Sequence, residues 1–137
     1  MRWGLGAVVL VAAVMLVAFV AGNGGEHPVT DATVVIQYSH FVPDTITVPA
    51  GLPVTFTLRN DDPIEHEWIV GPPAVHARHR TGTEPYHDER PTEVTVPAFS
   101  TRVTTVTFDA PGEYRYICHL PGHEAYGMVG TVRVAAP

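Results

Sequence analysis

The chain predicts an all-β fold, a β-sandwich of seven to eight strands, on three observations. Short β-branched and aromatic segments recur after residue 26. Apolar residues within them alternate rather than repeat with a helical period. Thirteen prolines and twelve glycines fall mainly between the segments, where turns are needed.

In order, Thr33–Tyr38 reads as the first strand. Thr45–Val48 alternates and ends in the turn Pro49-Ala50-Gly51. Val54–Leu58 alternates strictly and places Val54, Phe56 and Leu58 on one face. Asn60-Asp61-Asp62-Pro63 is a turn by composition, and His66–Val70 follows as a strand stopped by Gly71-Pro72-Pro73. Phe56 and Trp68 read as core. Residues 74–93 are polar, rich in His and Arg, and aperiodic. They read as a long solvated loop with room for a short helix. Val94–Val96 and Thr101–Phe108 resume the β pattern. Asp109–Gly112 turns, Tyr114–Cys118 alternates, and Val129–Val134 closes the chain.

The N-terminus differs. Arg2 precedes an unbroken apolar run from Ala7 to Ala21, then small residues. That is the pattern of a secretory signal. Residues 5–22 would make a helix of roughly 27 Å, just short of a ~30 Å hydrocarbon core, so an uncleaved membrane anchor is the alternative. Either reading exports the domain, to the periplasm or another extracytoplasmic space. The expected division is residues 1–25 as signal or anchor and residues 26–137 as one domain, a size at which one core is self-sufficient.

The formal net charge is −6, and all eight Lys/Arg positions are arginine, scattered along the chain. There is no basic stripe of the kind a phosphate backbone requires, so nucleic acid is not an expected partner. The single cysteine, Cys118, excludes an internal disulfide and points to a reactive or metal-bound thiol.

The chemistry is concentrated in Cys118-His119-Leu120-Pro121-Gly122-His123-Glu124-Ala125-Tyr126-Gly127-Met128. One loop between two strands brings a thiolate, an imidazole and a thioether. These soft and borderline donors suit copper in both oxidation states. A second imidazole must come from elsewhere, and His66, at the start of a strand, is the best candidate. The alternatives are a hydrogen-bonded core histidine at His66 and ordinary core packing at Met128. His119 follows Cys118 on extended chain, so its side chain points to the opposite face, and it reads as a surface residue rather than a ligand. His40 reads as solvated or as a neighbour of the ligands. His76, His79 and His87 are either a second, weaker copper site or part of a solvated loop.

Three blocks carry a family resemblance. Phe41-x-Pro43-x-x-Ile46-x-Val48-x-x-Gly51 resembles the N-terminal strand pair of cupredoxins. Asn60 to Trp68 resembles the segment bearing their first histidine ligand. Pro111-Gly112-x-Tyr114-x-Tyr116-x-Cys118, then His123 and Met128-x-Gly130, is similar to their C-terminal ligand loop. The resemblance spans nearly all of residues 33–134 and is closest to bacterial exported copper-binding cupredoxins, some of which look like copper-tolerance proteins. It implies a Greek-key sandwich with one type 1 copper ion near one end and one-electron transfer as its chemistry. Two positions depart from plastocyanin and azurin: Glu67 stands where Asn is frequent, and His119 where a small or hydroxylic residue is common.

The expected function is therefore a monomeric, non-enzymatic electron carrier docking transiently on a redox partner protein, with Leu120, Pro121, Ala125 and Tyr126 at the docking end. Copper tolerance or delivery is the alternative, and the histidine-rich segment supports it. A copper enzyme of linked domains is disfavoured, because the chain has one domain and one complete ligand set.

Overall fold

Alternation along the strands gives each of two sheets one apolar face. In β4 (Pro53–Asn60), Val54, Phe56 and Leu58 are buried while their neighbours are partly or fully exposed. In the final strand, β9 (Val129–Ala135), Gly130, Val132 and Val134 take the buried positions. The structure, a computed structural model, describes residues 27–82 and 90–136. The expected signal or anchor at residues 1–25 and the histidine His87 lie outside these.

One sheet has the order β2-β1-β4-β7 and the other β3-β9-β8-β5-β6. The remaining strands are β1 (Asp31–Gln37), β2 (His40–Val42), β3 (Thr45–Pro49), β5 (His66–Gly71), β6 (Glu93–Val96), β7 (Thr101–Thr107) and β8 (Gly112–Ile117). β1 pairs in parallel with β4, and β3 with β9; the other pairings are antiparallel. Among the described residues there are nine strands, one more than the expected seven to eight, because β2, three residues long, is too short to show alternation.

The sheets close on a single core. Phe56 meets Trp68 with ring centroids 4.9 Å apart, and Tyr116 lies against Phe41 at 5.1 Å. Each such buried aromatic or aliphatic side chain contributes roughly 1.5–3 kcal/mol relative to exposure.

Residues 74–93 are not a solvated loop throughout. Pro72-Pro73 opens a helix, α1 (Pro73–Arg80), that lies against β5 and buries His76 and His79. Its two buried residues are histidines, so hydrophobic periodicity gave no sign of it.

β5 and β8 are antiparallel neighbours with Ile69 opposite Ile117. The start of one strand therefore lies beside the end of the other. His66 and Cys118 leave the sheet at the same end for that reason.

Candidate metal centre

His66, Cys118 and His123 each present one donor atom, and these atoms all lie within 4.8 Å of one another. Cys118 Sγ is 3.3 Å from His123 Nδ1, and the Nδ1 atoms of His66 and His123 are 3.3 Å apart. Among the described residues this is the only such group of three. His66 and Cys118 are fully buried, and His123 is half-buried. Met128 is fully buried at the base of the same loop.

The loop is closed by its own backbone. Cys118 N–H donates to Met128 O (3.2 Å), Met128 N–H to His123 O (3.0 Å), and His123 N–H to Leu120 O (3.0 Å). A short helix, α2 (His123–Tyr126), carries His123 and ends at Gly127, whose φ of 107° favours glycine. These bonds fix the positions of Cys118, His123 and Met128 relative to one another.

His66 is oriented from behind. Its Nε2 donates to Asp62 Oδ2 at 3.0 Å, which leaves Nδ1 facing His123. Asp62 Oδ1 accepts the Tyr38 N–H and Oδ2 the Ser39 N–H, both at 2.7 Å. Burial alone would raise the Asp62 carboxyl, but these hydrogen bonds and His66 outweigh it and hold it below its usual range. His66 itself is pushed down, chiefly by burial. Asp62 escaped the sequence reading, and the available signal was its spacing four residues before His66.

Burial pushes the Cys118 thiol up, although Glu67 N–H points at Sγ from 3.4 Å. A metal ion that takes Cys118 as thiolate must therefore displace its proton. The donor set fits copper on its chemistry: one buried sulfur and two imidazoles converge, with a thioether at the loop base, and no carboxylate joins the group.

His119 points away from the triad, as expected, but it is not at the surface: its side chain is 4% exposed. It is enclosed by α1. His76 Nε2 faces Gly71 O and Arg115 O and carries its proton toward them, so His76 Nδ1 accepts from His119 Nε2 at 2.9 Å. His79 stacks on His119 with centroids 5.3 Å apart. Outside, Arg80 Nε donates to Glu124 Oε2 at 2.9 Å and ties α1 to the ligand loop. His40 packs edge-on against Tyr126 at 5.2 Å. Of the expected docking residues, Pro121, Ala125 and Tyr126 are exposed, whereas Leu120 is packed partly against the core.

A sandwich with this donor set at one end is the architecture of a cupredoxin, and a family profile for the cupredoxin-like domain matches residues 8–132. The chain belongs to the cupredoxin-like domain family. Among curated proteins it is similar to the copper-resistant cuproprotein CopI of Rubrivivax gelatinosus, 32% identical over 116 residues, covering 82% of this chain and 70% of that protein. It is also similar to CopI of Pseudomonas aeruginosa, 28% identical over 134 residues and 74% of each chain. Among solved structures, auracyanin from Roseiflexus castenholzii shares the fold with a TM-score of 0.67, 23% identity, and coverage of 80% of this chain and 99% of that one. Auracyanin A from Chloroflexus aurantiacus, described as a "blue" copper protein, has a TM-score of 0.61 at 27% identity, covering 80% and 100%. No helix among the described residues is long and apolar enough to cross a membrane.

Proposed function

We propose that His66, Cys118, His123 and Met128 hold one copper ion in a type 1 site, and that the chain carries single electrons between protein partners outside the cytoplasmic membrane. The observation that carries this reading is the His66–Cys118–His123 triad, whose three donor atoms lie within 4.8 Å of one another at the buried end of the sandwich. Copper supplies a one-electron Cu(II)/Cu(I) couple there.

The chain's own residues do the rest. Cys118 gives up its thiol proton and keeps the Glu67 N–H at Sγ. His66, held at Nε2 by Asp62, offers Nδ1, and His123 offers Nδ1 from α2. Met128 supplies a weak thioether from the loop base. Burial of His66, Cys118 and Met128 keeps water away. Pro121, Ala125 and Tyr126 give a partner a small apolar surface beside His123. No substrate is turned over in this role. Residues 1–25 act as signal or anchor and deliver the domain, residues 26–137, to an extracytoplasmic space.

Copper tolerance is the second reading, favoured by the two curated relatives named as copper-resistant cuproproteins. A carrier retains its metal through many turnovers, whereas a tolerance or delivery protein yields it to a competing chelator.

The test is the optical spectrum of the full-length chain loaded with equimolar Cu(II). An intense visible sulfur-to-copper charge-transfer band, lost in Cys118→Ser, is expected. A weak band unchanged in Cys118→Ser would place copper on histidines elsewhere and overturn the reading.

A further inference from the structure

We propose that Asp62 is a positioning residue that sets the balance between Cu(II) and Cu(I) at the centre, by fixing His66 and placing a buried negative charge behind it. The inference rests on the copper reading above and goes beyond it in assigning a role outside the ligand set.

The carboxylate sits in a built seat. Tyr38 and Ser39 are consecutive non-glycine residues in the left-handed region, at φ 54° and 55°. Such a backbone persists only when its surroundings hold it. Here it turns two successive N–H groups toward one point, a concavity suited to an anion. Asp62 fills it, one oxygen to each N–H at 2.7 Å. Asn60 Oδ1 accepts the Asp62 N–H at 3.0 Å and pins the residue from its own side. Asp62 is only 6% exposed.

The carboxylate has acceptor sites to spare, and His66 Nε2 donates to Oδ2 at 3.0 Å. A carboxylate accepting from the far nitrogen of a ligating imidazole fixes its tautomer and ring orientation and raises its basicity. Both effects, and the poorly screened charge, favour the more highly charged ion. If Asp62 only braced the turn between β1 and β2, its loss would weaken the fold and leave the Cu(II)/Cu(I) balance alone.

Asp62→Asn keeps the shape and removes the charge, and its single carbonyl oxygen can accept from Ser39 and His66 only with the amide nitrogen set against the Tyr38 N–H. In the full-length chain, Cu(II) affinity is expected to fall about 10- to 100-fold, as for loss of other such partners. Cu(I) affinity falls less. Each tenfold change in the ratio is a rise of about 59 mV in reduction potential. An unchanged ratio in a folded variant overturns the proposal. Where the variant fails to fold, nitrogen-15 NMR of the Cu(I)-loaded wild type decides. A slowly exchanging His66 Nε2–H is expected, and a His66 bound through Nε2 overturns it. If Cys118→Ser leaves the visible band intact, the copper reading fails; if that band is lost and Asp62→Asn shifts nothing, only the role of Asp62 fails.

Discussion

Tyr116 lies across the backbone of Gly130, so close that a β-carbon at Gly130 would stand 2.1 Å from the Tyr116 Cζ. The two are register partners on β8 and β9, and the Tyr116 hydroxyl reaches on to donate to Pro43 O at 2.7 Å. A single ring thereby joins β8, β9 and the approach to β3, just below the ligand loop. Gly130→Ala forces that ring or the backbone to move and is expected to cost about 3 kcal/mol or more. Urea unfolding of the metal-free protein measures it.

Asn60 is buried between the turn before His66 and the end of β6. Its Nδ2 reaches Ile64 O (2.8 Å), Pro97 O (3.0 Å) and Val96 O (3.1 Å). Asn60→Ala abandons these three carbonyls, of which Val96 O is buried, and frees the Asp62 N–H. The expected loss is about 2–4 kcal/mol, read as a lower melting temperature, with weaker copper retention because the His66 turn loosens.

The Arg80–Glu124 pair joins α1 to the ligand loop at the surface, with side-chain exposures of 49% and 33%. At that exposure the ion pair is screened. Arg80→Ala is expected to cost at most about 1 kcal/mol, and most of that difference should vanish in about 1 M salt. Unfolding at two salt concentrations checks it.

Acid should destabilise the metal-free protein through His119. Burial first, then the neighbouring His76 and His79 imidazoles and Arg80, push its pKa from 6.5 down to about 4, while Glu124 pulls the other way. The unfolded chain therefore takes up the proton more readily. The contribution to stability is whole above about pH 6.5 and is lost progressively as pH falls toward about 4, reaching about 3 kcal/mol. His66 and His76, also pushed down by burial, add in the same direction. Urea midpoints at about pH 7.5 and about pH 4.5 should differ strongly in wild type and less in His119→Gln.

The strands were legible because Val54, Phe56 and Leu58 alternate, and a period of two has one physical meaning on a half-buried sheet. Cys118, His123 and Met128 were legible because one loop carries all three donor types. His66 was found by what that loop lacked. Helix α1 was hidden, since it packs through His76 and His79 and its apolar pattern is absent. The burial of His119 was hidden for the same reason: the His76 and His79 rings of α1 lie against it. Asp62 was hidden because its partners, Tyr38 and Ser39, are distant in sequence and offer only backbone N–H groups, which no residue type announces.

The ligand loop is stitched to itself, Cys118 to Met128 and Met128 to His123, while His66 stands on a separate strand with its own brace. The segment between Ile117 and Val129 is thus a cassette clipped into a fixed frame. Changes in its length or in the residues around His123 can retune the centre without recutting the sandwich. In the proposed copper centre the frame keeps His66 and the Asp62 carboxylate behind it constant while the cassette varies, so descendants of one scaffold can diverge in electronic behaviour before they diverge in shape.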